Sequence, residues 1–241
     1  LECPLHYAAC SSRLKASWSL NEMNKRHNVM GIPMVQYTKQ FQDYWALTAK
    51  QLSLDDDTTQ KFHAMLYDAY SEVQRHYHSI QHIVECLEHF HQIKTYLDDT
   101  LSVELAIWFH DVIYNPQAHD NEQQSADYMQ RMLENVLGAE QIAKIYVWIL
   151  ATQVHAPTAD TDLAYLLDID LAILASYPMR FAEYECQIQQ EYAWVEPSLY
   201  VKKRQQVLRH FLETQPLYQT PFFQKYYEHQ AKQNLTQTLD V

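Results

Sequence analysis

The chain has 241 residues, 47% of them hydrophobic, and carries 30 Asp plus Glu against 18 Lys plus Arg, a formal charge of −12 with no compensating basic block. That balance excludes sequence-independent binding of a long nucleic acid, whose phosphates a protein neutralises with clustered cations. No apolar run approaches the roughly 18 residues of a membrane span, and with Gly31 and Gly138 as the sole glycines the glycine-rich phosphate loops of common nucleotide folds are excluded too.

From Leu1 to Val29 there is neither a secretory hydrophobic region nor a domain signal, so this stretch reads as an N-terminal arm or extension, with residues 30–241 as a single domain. Helices are predicted at Val35–Thr48 and Asp57–Glu72. Over Tyr77–Phe90, Ile80, Ile83, Val84 and Leu87 form an apolar stripe, and His78, His82, Glu85 and His89 form a second line at helical spacing. The run Leu105–Asp111 is among the most apolar of the chain and contains an adjacent His110-Asp111 pair, followed by a break at Asn115-Pro116. Asp120 and Gln123 read as a capping box for the next helix and Gly138 as its end. Further helices are predicted at Glu140–Thr152, Asp162–Leu174, Pro178–Tyr192, Ser198–Leu212 and Phe222–Leu239, with prolines where the patterns stop or restart. The fold class is therefore all-α, a compact bundle. Cys3, Cys10, Cys86 and Cys186 form no close pair, which points to reduced thiols in a cytoplasmic protein rather than a disulfide framework. No coiled-coil heptad specifies an oligomer, and a homodimer is compatible with the sequence.

The chemistry starts at His110-Asp111, because polar groups left unpaired in a dry interior cost about 1–3 kcal/mol or more each. A hydrogen-bonded structural pair satisfies that demand, and so does a metal. The His78/His82 line is either a solvated polar face or, if the doublet packs against it, the wall of a metal-lined cleft. Arg75, beside this helix, presents a planar fork suited to phosphate or to a surface salt bridge.

The segments Arg75-His76-Tyr77-His78-Ser79-Ile80-Gln81-His82, Trp108-Phe109-His110-Asp111, Asp120-Asn121-Glu122 and Leu167-Asp168-Ile169-Asp170-Leu171, in this order, resemble the HD superfamily of metal-dependent phosphohydrolases. The similarity spans Val35 to Leu239 and is nearest to uncharacterised bacterial HD-domain proteins. It implies a helical HD-type bundle related to the cyclic-nucleotide phosphodiesterase fold. Metal ligation falls by this resemblance to His82, His110, Asp111 and Asp170, and proton donation to His78; the simpler HD arrangement makes His78 the ligand and His82 its support. Asp168 competes with Asp170, or caps a helix or orients a ligating histidine. Glu122 is a candidate for binding water or organising the ligands, and His155 for reaching a second metal or a substrate phosphate.

Mixed nitrogen and oxygen ligands admit Mn, Fe, Zn, Co or Mg, as one ion or two, with a transition ion favoured over a Mg-only cage by the two imidazoles. The expected activity is hydrolysis of a small phosphate ester, nucleotides among the candidates, by an ion-activated water. The alternatives are a non-catalytic nucleotide-sensing or protein-interaction domain with the same helical shell and, as a minor one, oxidation at an iron pair.

Overall fold

A computed structural model describes residues 33–239, so the arm read at Leu1–Val29 lies outside the described residues. Within them every regular element is helical: α1 (Pro33–Gln51), α2 (Asp56–Tyr70), α3 (Ile80–Ile93), α4 (Thr100–Phe109), α5 (Asn121–Leu133), α6 (Ala139–Ala151), α7 (Thr161–Asp170), α8 (Pro178–Glu191), α9 (Pro197–Glu213), α10 (Pro221–Tyr226) and α11 (Glu228–Leu239). Short 3₁₀ turns, Lys94–Tyr96 and Leu171–Ala175, follow α3 and α7. No described helix is long and apolar enough to cross a membrane.

The starts of these helices follow local chemistry. Asp55, Asp99 and Asp160 cap α2, α4 and α7 by accepting from the backbone N–H groups of Thr58, Ser102 and Leu163. Prolines open α8, α9 and α10, where a missing N–H costs nothing.

Three boundaries differ from the sequence reading. Asp120 stands at the N-cap of α5 without a side-chain cap bond, and Gln123 donates to Asp127 instead of closing a capping box. The entry to α5 is tied by Asn121, whose side chain accepts from Asn115 N–H and donates to its carbonyl. Gly138 is extended at the N-cap of α6, with φ −69° and ψ 150°, so it opens the next helix rather than closing the previous one. The single C-terminal helix expected over Phe222–Leu239 is broken at Tyr227, φ −118°, between α10 and α11.

α4 is the pillar of the fold. All of Val103, Leu105, Ala106, Ile107, Trp108 and Phe109 are buried, as expected of a helix apolar on every side, and α1, α3, α5, α6 and α7 pack around it. Trp108 meets Phe41 and Trp45 edge to face at 4.9 and 5.4 Å, and each large buried side chain of this kind contributes about 1.5–3 kcal/mol. The one acid in the pillar, Glu104, is satisfied by Thr48 and Gln51 of α1. The rigid helix delivers His110 and Asp111 at its C-terminal end.

Candidate metal centre

His110 is the C-cap of α4, and its Nδ1–H donates to the Ile107 carbonyl at 2.9 Å. That bond fixes the tautomer and leaves the Nε2 lone pair facing inward. There Nε2 lies 3.1 Å from Asp111 Oδ2, 3.1 Å from His82 Nε2 and 3.5 Å from Asp170 Oδ1. His82 Nε2 in turn lies 3.5 Å from Asp111 Oδ2 and 3.4 Å from Asp170 Oδ1. Donors at ~2.1 Å from a common ion stand about 3.0 Å apart at right angles and about 3.4 Å apart at the tetrahedral angle, so these separations suit one shared cation.

His82, His110 and Asp111 form one group able to hold a metal ion, and His82, Cys86 and Asp170 a second, overlapping one. Cys86 is a buried free thiol whose Sγ is almost equidistant from the two ring nitrogens of His82, at 3.7 and 3.8 Å. The sulfur therefore lies beside the imidazole rather than in line with either nitrogen. Cys186, read from sequence as a reduced thiol, is disulfide-bonded.

Electrostatics favour a cation at the same point. Burial opposes charging of the His110 ring, but Asp111 and Asp170 outweigh it and hold the ring's pKa well above the usual range. Burial likewise opposes ionisation of both carboxyls, and the facing imidazoles, His110 foremost, keep them well below the usual carboxylate range. Two Nε2 atoms 3.1 Å apart have no room for protons aimed at each other. A metal ion held by these residues would take the place of those protons. α4 and α7 both direct their C-termini here, where the partial negative charge of the helix dipole adds to the attraction.

His155 follows α6 and closes on Asp170, with Nε2 2.8 Å from Oδ2. Its φ of 49° is left-handed, the conformation in which glycine usually ends a helix, so a histidine here is held at a cost of about 1–3 kcal/mol. Asp168, two residues before Asp170, points elsewhere: its carboxylate accepts from the N–H groups of Gln219 and Thr220 and from the Thr220 hydroxyl. Burial pushes that carboxyl up to about 6. It ties the segment before α10 to α7, and Asp170 is the aspartate that meets the histidines.

His78 does not share a helical face with His82, because α3 begins only at Ile80 behind an extended Ser79. It sits in the preceding turn, its ring stacked on Tyr114 at 4.1 Å and 6.0 Å from the His82 ring. Its Nδ1 meets Glu191 Oε2 at 2.7 Å, so its Nε2 is the nitrogen not taken by Glu191. Glu191, at the end of α8, has no exposed side chain. Its Oε1 accepts from the N–H groups of His76, Tyr77 and His78, and its Oε2 also accepts from the Tyr114 hydroxyl. Burial would raise this carboxyl, but the His78 ring and the converging N–H donors bring it down to about 2. Sequence reasoning missed Glu191: it lies 113 residues from His78 on an ordinary amphipathic helix, with no spacing to mark it.

Arg75 and Glu122 do not join the cluster. Arg75 has a side chain only 1% exposed; it donates to Glu72 and to the carbonyls of His78, Asp111 and Val112. It clamps the His78 turn to the segment carrying Asp111. Glu122 accepts from Gln153, two residues before His155. No family model matches the chain, and neither a curated protein nor a solved structure is significantly similar to it.

Proposed function

We propose that this protein is a metal-dependent phosphohydrolase related to the HD superfamily, in which His82, His110, Asp111 and Asp170 hold a divalent ion and a small phosphate ester, nucleotides included, is the substrate. One observation carries the reading. Two buried imidazoles approach Nε2 to Nε2 at 3.1 Å between two carboxylates, an arrangement that bare side chains satisfy poorly and a cation satisfies well. Two imidazoles with two carboxylates suit Mn, Fe, Zn or Co better than Mg.

When bound, such an ion supplies Lewis acidity toward phosphoryl oxygens and water. The chain supplies the proton and the orientation. In hydrolysis a water oxygen bonds to phosphorus as the bond to the ester oxygen breaks; the leaving oxygen takes a proton from His78 Nε2, and the proton released by the attacking water goes to solvent, from which the ring is reprotonated. Glu191, bonded to Nδ1, fixes the direction of the ring and leaves Nε2 as the nitrogen that gives the proton. His155 holds the second oxygen of Asp170, which keeps the first turned toward His82 and His110.

The test is metal content and turnover of the full chain purified without chelator. Stoichiometric transition metal is expected in the wild type, lost in His110→Ala and Asp111→Ala and retained in His78→Ala, with phosphate-ester turnover falling in all three. Metal retained in both ligand variants would overturn the assignment. Metal binding without turnover on a broad phosphate-ester panel would leave a sensing or interaction domain.

A further inference from the structure

Resting on the metal-binding part of that reading, we infer that Cys86 is a further ligand of the centre, recruited by thiophilic ions and passed over by hard ones, and so the residue that sets the preference among divalent ions. A buried thiol can pack as a small apolar group. Cys86 does more than fill space because of where α3 puts it. It stands four residues after His82 on that helix, a spacing that sets two side chains on one face, and it is a free thiol only 3% exposed. Its sulfur, a ring nitrogen of His82 and a carboxylate oxygen of Asp170 all lie within 4.8 Å of one another.

The separations match those of a shared ion. With bonds of about 2.3 Å to sulfur and about 2.0–2.1 Å to nitrogen or oxygen, the tetrahedral angle sets sulfur and nitrogen about 3.6 Å apart and nitrogen and oxygen about 3.4 Å apart. Cys86 Sγ lies 3.7 and 3.8 Å from the two His82 nitrogens, and His82 Nε2 lies 3.4 Å from Asp170 Oδ1. The near-equality of the two sulfur distances also shows that the thiol is not spent on orienting His82, since a bond in line with Nδ1–H would set Sγ clearly farther from Nε2. Ligation then takes a turn of the thiol about its Cα–Cβ bond toward Nε2; the metal–sulfur bond forms and the thiol proton leaves to solvent. The gain depends on the ion. Thiolate suits Zn and Cd, and Co to a lesser degree, whereas Mn and Mg keep to oxygen and imidazole. His82, His110, Asp111 and Asp170 serve both kinds of ion, and Cys86 tells them apart.

The experiment strips the full chain with a chelator and reloads it separately with Co²⁺, Cd²⁺ and Mn²⁺. Sulfur bonded to Co²⁺ or Cd²⁺ gives an ultraviolet thiolate-to-metal charge-transfer band that nitrogen and oxygen ligands do not give. The band is expected with both ions in the wild type and absent in Cys86→Ser, whose folding is followed by circular dichroism. In competition with a chromogenic chelator, Cys86→Ser should weaken Cd²⁺ binding by at least about ten-fold and Mn²⁺ binding by less than about three-fold. Co²⁺ and Cd²⁺ bound without the band, a band that survives Cys86→Ser, or equal losses of Cd²⁺ and Mn²⁺ affinity overturns the inference while the hydrolase reading stands. The wild-type band decides without any variant having to fold, and no readout depends on turnover. A chain that binds none of the three ions removes the metal centre and this inference with it.

Discussion

Substituting Glu191 by Gln separates the proton-donor role proposed for His78 from the metal-ligand role proposed for His82, His110, Asp111 and Asp170. The amide keeps the size of the side chain, and its oxygen can remain beneath the three N–H groups of residues 76–78 that Oε1 now accepts. Its nitrogen then faces His78 Nδ1 and the Tyr114 hydroxyl, both of which now meet Oε2. His78 must turn a lone pair toward the amide and carry its proton on Nε2, without a carboxylate to stabilise the charged ring. A hydrogen bond to a charged group contributes about 1.5–3 kcal/mol, which corresponds to about 10–150-fold in rate. Turnover of an alkyl phosphate, whose leaving oxygen needs the proton, should fall by about that factor, while 4-nitrophenyl substrates change little. Stability carries a second signature. The Glu191 carboxyl lies at about 2 against an ordinary 4.5, so its contribution of about 3 kcal/mol is complete above pH 4.5 and is lost as pH falls toward 2. Glu191→Gln should remove this acid-limb dependence from urea unfolding curves measured across pH. Equal rate losses for alkyl and aryl leaving groups with metal intact, or loss of metal in step with activity, would refute the assignment of His78 as acid.

Asp168→Ala should destabilise the fold by about 1–3 kcal/mol, because it strands two buried N–H groups and a hydroxyl, while metal content by mass spectrometry stays at the wild-type level. The pH dependence of that position has the opposite sign to Glu191: with its carboxyl raised from 3.8 to about 6, the native state holds a proton that the unfolded chain releases, so its contribution falls as pH rises across that interval. His155→Asn keeps a residue that tolerates the left-handed backbone but removes the partner of Asp170 Oδ2; calorimetric titration should report metal affinity weakened about 10–100-fold with little change in thermal midpoint. Arg75→Lys should lower both the thermal midpoint and metal affinity, because one ammonium cannot hold three carbonyls and Glu72 together. The KM of any residual activity should stay unchanged, in contrast to the loss of substrate binding expected of a phosphate clamp.

The parts of the centre legible in the sequence are those whose physics is local. A His-Asp pair at the end of an apolar run must be satisfied by hydrogen bonds or a metal, and Leu105–Phe109 bury on every side as that run requires. His82 faces the doublet because the stripe of Ile80, Ile83, Val84 and Leu87 packs inward and brings the start of α3 to the end of α4. Helix entries capped by Asp55, Asp99 and Asp160 follow equally local rules. What periodicity cannot carry is the direction of a side chain in a turn. His78 lies outside α3 because Ser79 is extended, and Arg75 turns inward because three carbonyls 3 to 37 residues away outcompete solvent. The left-handed backbone of His155, where α6 runs out without a glycine to relieve it, is likewise a conformation that residue spacing does not encode.

The placement of the centre follows from the bundle itself. A helix carries about half a negative charge at its C-terminus, and α4 and α7 end on His110 and Asp170, while the turn leaving α6 supplies His155. In a strongly acidic chain, such ends add to the field of Asp111 and Asp170 and would repel one another without a counter-charge. Imidazoles provide it in the metal-free protein by taking up protons. A divalent cation provides it more fully, because it meets both Nε2 lone pairs and both carboxylates at once. Metal binding by these residues would therefore be coupled to folding. A saturating transition ion should raise the thermal midpoint of the wild type, and raise it more at pH 7.5 than at pH 5.5, where protons compete for His82 and His110. An ion-induced shift that is equal at both pH values, or that persists in Asp111→Ala, would place the ion somewhere other than between these helix ends.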